Sequence, residues 1–391
     1  MKKTIKLAVV AALALGTTSV FATNGINQIA TGAKARGMGG VGIATNLNGE
    51  NVYSNPSMIT RTKKAYINAG VNLFNADVSM KGSGDTAKSK YPMSVIPSVS
   101  GVYAINESFF IGGAFYGSGG MGVDYTDDKD LKSLKIKTEL AVAVIAVPMA
   151  YTVSGFSVGF TPLIKTASLS LPGYFGTHGT KPDAFDQQSS RATNFGFELG
   201  ADYELKLDDS MALTFAGVYK SAVELDFGKD VLITNDPGKG DDKNSLATPS
   251  VIGLGINFDF GASTVAFDYK NIGYGSAKGF EDFDWKDQNV YAIGYQYAAD
   301  VWAVRAGYNY GESPIDDGKK TTTSLMYFPA VTTSHYTLGG TWNVNKNNEL
   351  DLGLVIADGE QTKSDAFGPG SGDLKAINKQ TSVALGYTYN F

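Results

Sequence analysis

From Lys63 to the C-terminus, apolar and polar positions alternate in runs of strand length, broken by polar turns. In the terminal run, Thr381 to Phe391, Val383, Leu385, Tyr387, Tyr389 and Phe391 share one side. Ser382, Ala384, Gly386, Thr388 and Asn390 share the other. A strand has a side-chain period of two, so such a run carries one apolar face and one polar or small face. Its length matches the roughly 9–11 residues a tilted strand needs to cross a bilayer. The same phase recurs where Ile252, Leu254, Ile256, Phe258 and Phe260 oppose Gly253, Gly255, Asn257 and Asp259. It recurs again where Trp302, Val304, Ala306, Tyr308 and Tyr310 oppose Ala303, Arg305, Gly307 and Asn309. Fourteen strands are predicted, over roughly 64–80, 95–106, 108–125, 137–153, 155–170, 191–207, 210–228, 246–259, 262–274, 286–299, 301–312, 333–344, 348–360 and 378–391.

The connections alternate between tight turns and long polar loops. That pattern, with an even strand count, predicts an all-β fold: a fourteen-stranded antiparallel transmembrane β-barrel, residues 63–391. A bilayer tolerates a sheet only as a closed barrel, because every backbone N–H and C=O must be paired inside the wall. Residues 23–62 are Gly- and Asn-rich without sustained alternation and read as a small compact unit preceding the barrel.

Strands three and four break the rule. In Phe109 to Tyr116 and in Leu140 to Met149 both faces are apolar or small. Two readings stand open: packing against the N-terminal unit inside the barrel, or a path for a hydrophobic ligand, with Phe109, Ile111, Phe115, Val142, Val144 and Ile145 as candidates. Strand three then runs into Gly117-Ser118-Gly119-Gly120. Glycines inside a strand weaken pairing and mark bulges, so Gly117, Gly119 and Gly120 mark a candidate side opening in the wall.

Composition narrows the class. Lys2, Lys3 and Lys6, the apolar run Leu7 to Leu15 and Val20-Phe21-Ala22 read as a signal peptide, residues 1–22. Its removal takes three of 33 Lys+Arg, leaving 30 against 38 Asp+Glu, a net charge of −8 that disfavours nucleic acid as a partner. There is no cysteine and there are only two histidines, so no thiolate or multi-histidine metal site is expected, and no cofactor. Glycine, 47 of 391 residues, stands at about 12 % against a usual ~7 %. Gly37-x-Gly39-x-x-Gly42 lacks the βαβ context a dinucleotide site requires. His335 lacks a nucleophile-elbow motif nearby, so no enzyme is expected. Asp127-Asp128-Lys129-Asp130 and Asp241-Asp242-Lys243 read as solvated loop tips.

The chain resembles the FadL/TodX family of outer-membrane transporters for long-chain fatty acids and aromatic hydrocarbons. The likeness rests on NG-x-N, then GAKARGMGGVGIA (Gly32 to Ala44), Asn55-Pro56 of the family's N-P-A motif, and TPSVIGLGINF (Thr248 to Phe258). FDYKNIGYG, DWKDQ, RAGYNYGESPI, FPAVTTSHYTLGGTW and the terminal Phe follow in order. Ser57 stands where the family usually has Ala. The resemblance implies a hatch formed by residues 23–62 inside the lumen and passive movement of an apolar ligand to a side opening at strand three. It also implies that Asn55, Pro56 and Ser57 sit beside the kink, and that basic lumen groups meet a ligand carboxylate. Lys165 and Arg305 are the inward-phased candidates. Leu171, Phe175 and Phe185 are candidates for a first capture surface in an external loop. A monomer in the outer membrane of a Gram-negative bacterium is expected, among lipid and lipopolysaccharide, assembled by the barrel-assembly machinery through its terminal strand. The competing functions are a water-filled porin, which would keep a polar lumen throughout, and an adhesin or phage-receptor barrel that displays loops.

Overall fold

A computed structural model describes residues 23–62, 64–82, 86–91, 93–129, 136–172, 187–231, 233 and 244–391. The expected leader, residues 1–22, and Phe175 and Phe185 of the capture loop lie outside them.

Fourteen wall strands follow in chain order: β1 Ala65–Lys81, β2 Ser94–Ala104, β3 Phe109–Asp124, β4 Lys137–Ala146 continued by Met149–Val153, β5 Phe156–Pro172, β6 Gln187–Lys206 and β7 Met211–Lys220. Then come β8 Val251–Phe260, β9 Ser263–Ile272, β10 Gln288–Ala298, β11 Trp302–Gly311, β12 Ser334–Asn345, β13 Asn348–Lys363 and β14 Leu374–Asn390. A short arm, Thr86–Lys88, adds to the end of β1. Each strand pairs antiparallel with the next, and β14 pairs back onto β1 from Tyr66↔Asn390 to Lys81↔Lys375, so the sheet closes.

The alternation sets the faces. Leu254, Leu338, Trp342, Ile356 and Leu385 lie exposed on the outer surface, while Asn257, Thr337, Asp351 and Ser382 on the same strands are buried inward. Connections are tight at one end and long at the other. At the tight end Ser154 and Gly155 both take positive φ, the geometry that lets two residues join twisted strands. Among the described residues no helix is long and apolar enough to cross a membrane.

Residues 23–62 carry helices α1 (Ala33–Gly37) and α2 (Asn51–Ser54) and a 3-10 turn, Pro56–Arg61. They pack on the inward faces of the wall. Gly39 N–H donates to Thr337 Oγ1 (2.8 Å), and the Gly42 and Ile43 N–H groups donate to Asp268 Oδ2 (2.8 and 3.0 Å). Glu50 accepts from the Lys34 and Ala35 N–H groups at the start of α1, both at 3.0 Å. Burial, with Asp351 beside it, pushes the Glu50 carboxyl above the usual carboxylate range.

At the long-loop end, Tyr274, Phe280 and Trp285 meet ring to ring with centroids 4.7–5.3 Å apart, Phe283 meets Phe328 at 6.0 Å, and the two groups share one apolar cluster. A further short helix, α3 (Thr321–Tyr327), packs beside it, and Trp285 Nε1 donates to Ser324 Oγ (3.2 Å).

Candidate functional site

The wall parts between β2 and β3. Their pairing runs from Ala104↔Phe110 to Ser98↔Tyr116 and stops there. Beyond Tyr116, β3 keeps its partner on the other side, β4, with a register slip between Gly117 and Gly119. On the β2 side its place is taken by the N-terminal unit. Asn27 forms an isolated antiparallel bridge with Gly119, Gly120 N–H donates to Ile26 O (2.9 Å), and Gln28 N–H donates to Ser118 O (3.4 Å). Glycine is required for this approach, since a Cβ on Gly119 would lie 2.7 Å from Ile26 O. Across the parting stands Pro97 of β2, which has no N–H to leave unpaired at an edge. Above it the wall rejoins, because Ser89 N–H donates to Val78 O and Lys90 N–H to Asp124 O, both at 2.9 Å.

Asn55, Pro56 and Ser57 do not lie at this parting, contrary to the expectation drawn from resemblance. A Cβ on Gly159 of β5 would come within 2.4 Å of the Pro56 carbonyl carbon, and one on Gly200 of β6 within 1.9 Å of Asn55 Oδ1. Asn55 Nδ2 donates to Ile43 O (2.9 Å), and its Oδ1 accepts from Ser57 N–H (3.1 Å) and Ser57 Oγ (3.0 Å). The motif therefore caps a 3-10 turn and fixes it to β5 and β6. Tyr53, two residues earlier, does reach the parting strand: its ring meets that of Tyr116 at 5.1 Å.

Behind the parting lies a cavity of about 140 Å³. Val142, Val144, Ile26, Ile29, Tyr53 and Tyr116 supply apolar lining, and Gly119 borders it. Its polar wall holds Lys165, Lys220, Lys270, Glu198 and Asp268. Lys220 Nζ pairs with Glu198 (3.1 Å) and donates to Tyr53 O (3.0 Å), while Lys270 Nζ donates to Gly40 O (2.9 Å). Lys165 Nζ donates to Thr248 Oγ1 (2.9 Å) and, among the described residues, has no carboxylate within ion-pair distance. Arg305 lies elsewhere. It is buried, with Nε donating to Gln296 Oε1 (2.7 Å) and Nη1 to Thr341 Oγ1 (2.6 Å), and it does not line this cavity.

The ligand-path candidates divide. Val142 and Val144 face the cavity. Phe109 and Ile145 are exposed on the outer surface, and Ile111 and Phe115 share their phase, while Phe110, Ala114 and Tyr116 take the inward positions. When both faces of a strand are apolar, composition carries no label for its phase; the pairing with neighbours decides it.

Leu171 is buried instead of presenting a capture surface. With Leu140, Leu169, Ile233, Leu246 and the Phe280–Trp285–Phe328 cluster it lines a small, wholly apolar cavity under the long loops. Sequence alone does not predict this cluster, although Trp285 lies within the DWKDQ stretch (Asp284 to Gln288). The loops are tied to the N-terminal unit by Tyr274, whose Oη accepts from Ile26 N–H (2.8 Å) and donates to Asn24 O (2.9 Å).

Comparison with known proteins agrees with this architecture. The profile of the family described as outer membrane protein transport protein (OMPP1/FadL/TodX) matches residues 12–391. A long-chain fatty acid transport protein of Escherichia coli is 23 % identical, over 99 % of this chain and 98 % of its own. A protein of the same description from Salmonella typhi is 22 % identical over 86 % and 88 %. Among solved structures, the Pseudomonas putida toluene transporter TodX superposes with a TM-score of 0.66 at 18 % identity, covering 92 % of this chain and 98 % of that one. A Pseudomonas aeruginosa FadL homologue gives 0.67 at 16 % identity, with 94 % and 100 % covered.

Proposed function

Because the chain belongs to the OMPP1/FadL/TodX family of outer-membrane transport proteins, we propose that it moves hydrophobic small molecules passively through a lateral opening at β3. The relatives are transport proteins and not enzymes. The observation that carries the reading is the parting of β2 from β3 at Gly117, with a cavity directly behind it. Residues 23–62 act as a hatch: they occupy the inward faces of the wall, and Ile26 to Gln28 cover the edge that β3 leaves open. The ligand is captured under the aromatic cluster of the long loops, held against Val142, Val144 and Tyr116, and released sideways into lipid. Lys165 places a cation on the polar wall of the cavity.

The physics suits that order. An acyl chain gains about 0.8 kcal/mol per buried CH₂, so sixteen carbons favour leaving water by on the order of 10 kcal/mol. Attraction needs no energy source; release is the harder step, and a lipid-facing door makes release downhill. The names of the relatives point to long-chain fatty acids or monoaromatic hydrocarbons as the ligand class. The remaining partners are surrounding lipid and lipopolysaccharide, and the barrel-assembly machinery acting on β14; the working form is a monomer.

Reconstituted protein is expected to show little steady ion conductance while speeding delivery of a labelled fatty acid or alkylated aromatic into the membrane. Large ohmic conductance without accelerated delivery would favour a water-filled porin and end this reading.

A further inference from the structure

We propose that Arg36 and Gln28 form a carboxylate-receiving site at the parting of the wall, in which the Gln28 amide holds the place of a ligand's acid headgroup and is exchanged for it. The inference rests on the transport reading and narrows its substrate class to amphiphiles that carry an acid.

Arg36 is buried in α1. Its Nη1 donates to Ser382 Oγ (3.2 Å), its Nη2 donates to Gln28 Oε1, and its Nε is buried without a partner. Among the described residues no carboxylate lies within ion-pair distance of it. Burial draws its pKa down to about 10, which leaves it charged at neutral pH. A buried cation normally sits against an anion, because removing it from water is costly unless it is paired. Here the buried Glu50 carboxylate acts on it only from beyond ion-pair distance, and the groups bonded to it directly, the Gln28 amide and the Ser382 hydroxyl, are neutral.

The orientation of that amide follows from chemistry. Arg36 can only donate, so it faces Gln28 Oε1; the other end, Nε2, donates to Gly117 O (2.6 Å), which can only accept. Asn72 Nδ2 also reaches Gln28 Oε1 (3.5 Å). Gln28 thus links the buried guanidinium to the carbonyl at which β3 leaves β2. It stands between two spaces as well. Gln28 and Thr31 line both the central cavity and a second one, of about 10 Å³, bordered by Arg36, Ser98 and Pro97 and by Val71 and Leu385 of β1 and β14. That space admits about one water, so the site is shut while Gln28 occupies it.

A carboxylate has the planar shape of the amide it would replace. It accepts two N–H bonds from a guanidinium, and charge-assisted bonds are roughly twice as strong as neutral ones. An arriving acid can therefore displace Gln28 from Arg36, whereas an alcohol or hydrocarbon of equal length gains nothing by doing so. Displacement also frees Gly117 O, so docking of the headgroup loosens the edge through which the chain leaves.

The test compares equilibrium binding of hexadecanoate and hexadecanol to the detergent-solubilised full chain. The native protein is expected to bind the acid at least tenfold more tightly. Gln28→Glu fixes a carboxylate on Arg36 while keeping the pair intact, and is expected to bring the acid-to-alcohol ratio down about tenfold; Arg36→Met should do the same if it folds. A preference that survives Gln28→Glu and disappears in Lys165→Met assigns the headgroup to the central cavity and overturns the proposal, as does a native ratio near one. Binding of neither compound by the native protein would overturn the transport reading itself.

Discussion

Replacing Gly119 by valine tests whether Ile26 to Gln28 cover the opening. A Cβ at this position would lie 2.7 Å from Ile26 O, closer than real Cβ contacts allow, so one side has to yield. β3 is held on its far side by continuous pairing to β4, from Gly119↔Val142 to Asp124↔Lys137, so residues 26–28 are the side expected to move. Three hydrogen bonds go with them: Gly120 N–H to Ile26 O, Gln28 N–H to Ser118 O and Gln28 Nε2 to Gly117 O. At about 1 kcal/mol net each, the loss is about 3 kcal/mol, or roughly a 150-fold shift toward the undocked segment. Hydrogen exchange followed by mass spectrometry should report this as a fall of about two orders of magnitude in protection at the Gly120 and Gln28 amides, while the amides that β3 pairs to β4 stay protected. The rest of β14 and β1 should stay protected, because their pairing is untouched. Delivery of a neutral alkylated aromatic should rise, since the covering segment is out of the way. Lost protection with unchanged delivery would refute the opening as the route; unchanged protection would refute the assignment of residues 26–28 as its cover.

Two further perturbations separate the faces and the capture step. Val144→Arg places a charge in the cavity and is expected to abolish ligand delivery while the barrel still folds. Ile145→Arg, one residue on, faces lipid and should instead destabilise the folded barrel by about 2–4 kcal/mol if it lies near the midplane, read by urea titration in vesicles. The opposite assignment of effects would invert the phase of β4. Trp285→Ala removes the ring that meets both Tyr274 and Phe280. It is expected to raise the half-saturating ligand concentration without changing the maximal rate, and limited proteolysis should show the long loops more readily cleaved.

The wall was legible because its code is local. On β8, β11 and β14 one face is aliphatic or aromatic and the other polar or small, so periodicity alone gave both the strand and its side. The glycine run at Gly117 to Gly120 likewise marked the place where pairing slips. The same logic explains the misses. In Phe109 to Tyr116 neither face is polar, and only the register with β2 and β4 reveals that Phe110 and Tyr116 point in while Phe109 and Phe115 point out. Asn55 to Ser57 form a cap whose local geometry the sequence implies, but which strands it meets is set by Gly159 and Gly200, a hundred and more residues away. Arg36 sits in a glycine-rich stretch without sustained alternation, and nothing nearby in sequence announces its burial beside Ser382.

Cavity size makes a last prediction about ligand length. About 140 Å³ is close to the roughly 150 Å³ of an engineered apolar cavity that binds benzene, so the central cavity holds about six carbons at a time. Each buried CH₂ is worth about 0.8 kcal/mol, or about fourfold in affinity. Along a series of alkanoic acids, affinity should therefore climb about fourfold per carbon while the cavity fills, to a gain of about 5 kcal/mol at roughly six carbons, and then flatten. Flattening is what allows release: a pocket that engulfed sixteen carbons would hold its ligand by about 10 kcal/mol or more and let it go slowly. With only a segment gripped, the rest of the chain can already lie toward the loop cluster or the parting of β2 and β3, and the ligand advances by exchanging one buried segment for the next. Calorimetry across chains of four to sixteen carbons distinguishes the two cases. A slope that stays near fourfold per carbon through the whole series would mean that the interior expands to enclose the entire chain, and stepwise passage through a small cavity would have to be given up.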